Sequence, residues 1–205
     1  DYRFCLRVVK RSLGVGIMNS KLSILRGVAP LAQLLTVPSE RFQYVLSTKA
    51  PFDVIKILRN SLITQFDMLL DIFVVDTPND ADRYQLVYLL ASSSFGSRCL
   101  VKTPVSEQSM TTASVVSLFP SAGWLEREVW DMHGIYFIGN GDLRRILLDY
   151  GFAGHPLSKD FPLSGYLQVR YDDEQKQVVA EPVSFTQEFR YFQFLSPWHQ
   201  KVGNE

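Results

Sequence analysis

The stretch WLEREVWDMHG holds Glu126, Glu128, Asp131 and His133 within two helical turns. These are the residue types that bind zinc or act as general base, but their spacing argues against both uses. Glu128 and Asp131 stand at i and i+3 and share a helix face, whereas His133 lies five residues after Glu128 and two after Asp131 and turns elsewhere. Arg127 and Asp131, at i and i+4, read as an ordinary helix pair, and Trp124 and Trp130 as buried or interface positions. The three histidines, His133, His155 and His199, fall at a helix end, in a loop and in the terminal tail, with no H-x-x-x-H or H-E-x-x-H spacing for zinc. GVG at 14–16 lacks the third, helix-opening glycine of a dinucleotide fingerprint. There is no Walker loop, no G-x-S-x-G and no C-x-x-C. The expectation is a chain with no catalytic residue, no metal ligand and no cofactor of its own.

Two other stretches carry chemistry suited to recognition. DLRRIL places Arg144 and Arg145 after Asp142, read as the N-cap of a short helix, and a planar guanidinium suits forked pairing with a partner's carboxylates. GFAGHPLSKDFPL, residues 151–163, combines two prolines, two glycines, His155 and the Lys159-Asp160 pair with no periodicity. It reads as a recognition strap: Gly151 and Gly154 permit tight turns, Pro156 and Pro162 stiffen the path, Phe152, Leu157, Phe161 and Leu163 plug pockets, and Lys159 with Asp160 fixes register.

The elements that must hold these stretches come from a chain of 205 residues, 46% hydrophobic and 13% aromatic, with no net charge. That composition is globular, and it gives no electrostatic case for nucleic acid or acidic lipid across the whole surface. Apolar runs such as MLLDIFVVD and YQLVYLLA are far shorter than the roughly 20 residues that span a bilayer. Cys5 and Cys99 are the only cysteines, which excludes a disulfide framework and any four-thiolate metal or cluster site built from this chain alone. Residues 1–26 have six basic side chains and only Asp1 acidic, the mark of an organelle-targeting remnant or of a basic arm that contacts a partner.

Leu22, Leu25, Val28, Leu31 and Leu35 recur at helical steps from Lys21 to Thr36, before Pro38. RFQYVLST alternates as a strand, and APFDVIKILRNSLI reads as a second helix opened by Pro51. MLLDIFVVDTP, RYQLVYLLAS and RCLVKTPV, separated by PNDAD and SSFGS, suggest an antiparallel meander. TASVVSLFP and AGWLEREVWDMHG read as two short helices, the second closed by Gly134. The fold class expected is α+β: a small mostly antiparallel sheet covered by helices, followed by a long extended irregular C-terminal tail. The division is a basic arm at 1–20, an α+β domain at 21–138 and a partner-binding tail at 139–205. Four X-Pro steps keep the tail extended, and its many aromatic residues need a surface to lie on.

GWLEREVWDMHGIYF, DLRRILLDYGFAGHPLSKDFPL, YLQVRYD and EPVSFTQEFRYFQFLSPW, with DIFVVDTP…DRYQLVYLL upstream, resemble the 30 kDa subunit of respiratory complex I, also called NADH dehydrogenase subunit 9. The likeness runs from about Phe42 to Trp198 and is dense after Trp124. It implies a core structural subunit of the peripheral arm of proton-pumping NADH:ubiquinone oxidoreductase, on the matrix side of the mitochondrial inner membrane or the cytoplasmic side of a bacterial one. It implies a hetero-oligomer in which this subunit packs on the 49 kDa subunit, while FMN, iron–sulfur clusters and the quinone site lie in other subunits. On this reading the partner interface includes Glu126, Arg127, Asp131, Arg144, Arg145, Phe152, His155, Pro156, Lys159, Asp160, Phe161, Arg170, Tyr171, Glu181, Arg190 and Trp198. The chain departs from the family at Asn140-Gly141, where a His-Pro pair is usual, at Ser158, where an arginine is usual, and at Gln168, where a glutamate is common. Two rival readings are a stand-alone metal-dependent hydrolase using His133 or His155, which would hold metal without partners, and a nucleic-acid-binding sheet, which would show a basic face.

Overall fold

The computed structural model describes residues 32–35, 44–188, 190 and 192. The chain divides into two compact units, Asp1–Phe161 and Pro162–Glu205, so residues 139–161 group with the α+β unit.

The first unit is built on a five-stranded sheet, order β1-β2-β5-β4-β3. Its strands are β1 (Gln33–Leu35), β2 (Tyr44–Ser47), β3 (Met68–Asp76), β4 (Tyr84–Ser92) and β5 (Ser97–Val105). The meander β3-β4-β5 forms where alternation and turn residues predict it, with Tyr88 opposite Ile72 on one side and Val101 on the other. The sheet as a whole is mixed, which corrects the expectation of a mostly antiparallel one, because β2 runs parallel to β5. The cause is helix α1 (Pro51–Asn60), which carries the chain from β2 to the far edge of the sheet. A helical crossover returns the chain to the end it came from, so β3 starts parallel to β2. The meander then fills the gap and brings β5 beside β2 in the same direction.

Pro51 opens α1, with Asp53 in the first turn and Arg59 in the last, as the helix dipole favours. Val54, Ile55 and Leu58 are fully buried on one stripe, each worth about 1.5–3 kcal/mol relative to exposure. Leu62, read as part of that stripe, lies beyond the helix and is exposed. They pack on the face of the sheet that presents Leu86, Tyr88 and Leu90 of β4 with Cys99 and Val101 of β5.

Three local readings are corrected. Gln33–Leu35, placed at the end of a helix by periodicity, are a strand paired with β2; the rest of that span, 21–31 and 36, lies outside the described residues, as does the basic arm. TASVVSLFP is not a helix. Thr111–Ala113 form β6, which pairs in parallel with β7 (Tyr136–Ile138), and Val115, Leu118 and Phe119 turn into the core. DLRRIL is not a helix either, for a reason given below. Helix α2 (Ala122–His133) forms as read and is closed by Gly134 at φ +83°. No helix among the described residues is long and apolar enough to cross a membrane.

The second unit contains a hairpin, β8 (Leu167–Asp172) and β9 (Gln177–Pro182), inside the span expected to be irregular. Its pairs are Leu167 with Pro182, Val169 with Ala180 and Tyr171 with Val178. Residues i and i+2 share a face, so these six form one apolar face, with Leu167, Val169, Tyr171 and Val178 all more than half exposed. On the other face Arg170 makes a forked pair with Glu181, 2.9 and 2.7 Å.

Candidate functional site

The four ionisable residues of the 126–133 cluster go to different places. Glu126 is fully buried, and its carboxylate accepts hydrogen bonds from Ser114 Oγ (2.7 Å), the Val115 amide (2.7 Å) and Asn140 Nδ2 (2.9 Å). Burial raises its pKa, with the three donors opposing. The Asn140 departure is thereby explained: its amide ties the turn after β7 to α2. Asp131 is also fully buried. Arg145 Nη1 (3.0 Å) and the backbone amides of Ile146 (3.2 Å), Leu147 (2.9 Å) and Leu148 (3.2 Å) all donate to its carboxylate. This is why DLRRIL is not a helix: three successive amides curl round an anion in a nest. Burial alone would raise the Asp131 pKa, but the three amides and Arg145 together hold it below the ordinary carboxylate value.

The expected pairing of Arg127 with Asp131 is corrected. Arg127 reaches Asp142 at 3.5 Å and stacks on Trp124, 4.9 Å from the ring centre, because Asp131 points into the protein and is already saturated. Asp142 also binds the exposed Arg144, at 3.2 Å, and is not a helix cap.

From Asp131 the chain is stitched back onto α2 and β3. Arg145 Nη1 also donates to the Gly154 carbonyl (3.0 Å) and lies 5.5 Å from the Trp130 ring. The His155 Nδ1 sits 3.1 Å from the Asp131 carbonyl. A carbonyl only accepts, so Nδ1 carries the proton. The other side of the His155 ring lies over Gly134, where Nε2 would be 2.7 Å from an added Cβ. Leu157 N–H donates to Met132 O (3.1 Å) and Lys159 N–H to Asp76 Oδ2 (2.8 Å). Beyond that, Arg83 clamps the strap. Its guanidinium takes Asp76 through Nε (2.8 Å) and Nη2 (3.1 Å), Glu107 at 3.0 Å and Asp160 at 2.6 Å. These bonds, Asp76 first, raise the Arg83 pKa, and Arg83 in turn lowers that of Asp76. Ser158, the second departure, bonds the Tyr84 hydroxyl at 3.2 Å.

Gly134 is needed twice, for its left-handed φ and for the seat of His155. Gly134→Ala is expected to cost about 1–2 kcal/mol from backbone strain alone, and to unseat the ring. Hydrogen–deuterium exchange at the Leu157 amide checks this. Exchange should quicken in Gly134→Ala, and adding His155→Ala should not make the double variant additively worse.

The other predicted interface residues are scattered. Glu126 and Asp131 have no exposed surface to offer a partner. Phe152 and Phe161 pack on each other with ring centres 5.8 Å apart, and Phe161 also lies against Gly154. His155 and Pro156 are half-buried, while Lys159 and Asp160 are exposed. Leu157 and Leu163 are exposed and fill no pocket within this chain. Arg170, Glu181 and Tyr171 are on the hairpin, Arg190 stacks on Phe192 at 5.6 Å, and Trp198 lies outside the described residues. Sequence reading missed Asp76 and Arg83. Their signal was an acid ending one strand and a base opening the next across the turn TPNDAD.

His133 is 8% exposed, and its Nδ1 has no hydrogen-bond partner. Burial lowers its pKa, nearby Asp76 opposes this and His155 adds to it. No group of metal-binding side chains occurs among the described residues. Cys99 is buried, and burial pushes its thiol up to about 12, so it is inert as a nucleophile. What the arrangement does chemically is positioning: its carboxylates are filled with donors and its buried arginine with acceptors.

Comparison with known proteins extends this picture. Residues 44–167 match the family described as respiratory-chain NADH dehydrogenase, 30 Kd subunit. The chain is 56% identical over 154 residues to NADH dehydrogenase [ubiquinone] iron-sulfur protein 3 of Beta trigyna, covering 75% of this chain and 80% of that one. It is 55% identical over 147 residues to NADH-ubiquinone oxidoreductase subunit 9 of Reclinomonas americana, covering 72% of each. Among solved structures, a chain of the membrane-bound sulfane sulfur reductase, an archaeal respiratory membrane complex, matches with a TM-score of 0.59 and 27% identity, over 78% of this chain and 99% of that one.

Proposed function

Because the chain belongs to the 30 kDa subunit family of the respiratory-chain NADH dehydrogenase, we propose that it is a non-catalytic structural subunit of the peripheral arm of proton-pumping NADH:ubiquinone oxidoreductase. It docks on the 49 kDa subunit at the matrix face of the mitochondrial inner membrane and supports electron transfer from NADH to ubiquinone. One observation carries the docking role. The hairpin of the second unit exposes a continuous apolar face, Leu167, Val169, Tyr171 and Val178, and a lone two-stranded hairpin is at best marginally stable in water. Such a face calls for a protein surface to cover it.

The iron and sulfur in the plant relatives' name do not fit the donors of this chain. A cluster is held by about four cysteine thiolates, and only Cys5 and Cys99 are present, the latter sealed in the core. Flavin and clusters therefore belong to other subunits, and this chain holds its neighbours in place.

The test is a charge placed on the hairpin. Val169→Glu in the full chain, expressed in a host lacking the wild-type copy, should lower its share of the native assembly by on the order of tenfold or more, as loss of a hot spot does. Native-gel bands stained for NADH oxidation measure this, and the melting of the isolated chain should be unchanged. Normal assembly of the variant would refute docking through this face.

A further inference from the structure

A groove of about 380 Å³ in the first unit is lined by residues 72–76 of β3, by the face of α2 that carries Glu128 and His133, and by Leu157 and Lys159. Side chains of successive strand residues point to opposite faces. Five in a row line one cavity only where it runs along the edge of the strand, against the main chain. β3 is the outermost strand of the sheet, so this edge has no strand partner. Natural sheets guard such edges with charge, proline or a bulge. Here the bulge falls between Leu69 and Asp71, and Ile72, Phe73, Val74 and Val75 carry neither charge nor proline. Phe73 and Val75 are 40% and 41% exposed.

The charges around the edge choose the occupant. Asp71 and Glu128 are exposed and form no ion pair among the described residues, while the cation of the groove, Lys159, sits at the Asp76 end. A second copy of this chain added β3 to β3 would bring the Asp71 carboxylates together, and like charges on adjacent strands are destabilising. We propose that an extended segment of a partner subunit adds to β3 as a sixth strand, with a basic side chain at Asp71 and Glu128 and an apolar one in the groove. This rests on the proposed function, and it adds a second docking surface, separate from the hairpin.

The experiment uses the full chain in its native assembly, with photoreactive benzoylphenylalanine in place of Phe73. Irradiation and mass spectrometry are expected to yield a cross-link to one peptide of another subunit of the same assembly, with Lys or Arg within a few residues. Val75→Lys, an edge guard, and Asp71→Lys, at an exposed position, are each expected to lower incorporation by on the order of tenfold without lowering the melting temperature of the isolated chain. A cross-link to a second copy of this chain, a cross-linked peptide without a basic residue, or normal incorporation of both lysine variants overturns the inference. If the wild-type chain is itself absent from the NADH-oxidising assembly, the proposed function falls as well.

Discussion

Asp131→Ala is expected to cost the chain about 3–5 kcal/mol of folding stability, the range seen when one partner of a buried charged pair is removed. Three backbone amides and the Arg145 guanidinium would lose their shared acceptor, and no other carboxylate bonds them. Chemical denaturation of the full chain measures the loss. Asp131→Asn keeps one acceptor but turns an NH2 towards donors, so it should lose less, about 1–3 kcal/mol. The pH dependence has a definite sign. Because the folded Asp131 pKa lies below the ordinary value of 3.8, its contribution is fully present above that value and is lost as pH falls through the lower folded value. Asp131→Asn should therefore show a shallower loss of stability on acidification than the wild type.

Arg83→Met should be similarly costly, about 3–5 kcal/mol, because Asp76 is buried and would keep only the Lys159 amide. The variant also releases Asp160 and Glu107. The diagnostic result is a double-mutant cycle. Arg83→Met with Asp76→Leu removes the uncompensated charge and should recover much of the stability. Exchange at the Lys159 amide should nevertheless stay fast, because its acceptor is gone. Full recovery of protection at Lys159 would show that the strap does not depend on this pair.

The parts of this structure legible in the sequence are those set by local chemistry. The meander from Met68 to Val105 alternates with period two between turn-rich breaks, and α2 ends at a glycine that only a left-handed cap requires. Partner choice was not legible. TASVVSLFP has helical spacing, but Thr111–Ala113 are claimed by β7 more than twenty residues on. DLRRIL looks like a capped helix until Asp131 competes for its amides. Asp131 itself stands at the right spacing to pair with Arg127, and nothing local says that it faces inwards. The strap illustrates both sides: its turns were readable from glycine and proline, whereas its fastening to Asp76 and Arg83 joins residues too distant for pattern reading. Glu126 and Asp131 were chosen for recognition because of their charge. Burial assigned them to holding the chain together.

The seams that fasten the strap also differ in the length of chain they close. Asp131 meets residues 145–148 across separations of 14 to 17, His155 returns to Asp131 across 24, and Lys159 meets Asp76 across 83. Closing the longest loop directly costs roughly 1.5 kcal/mol more entropy than closing the shortest. Once α2 has packed on β3 and the nest around Asp131 has formed, however, residue 159 is already beside residue 76, and the long loop is replaced by a short one. The strap is in this sense a zipper with its starting tooth at Asp131. Its assembly runs outward from the helix, so the segment next to the second unit is the last to be fixed during folding and the first to come loose.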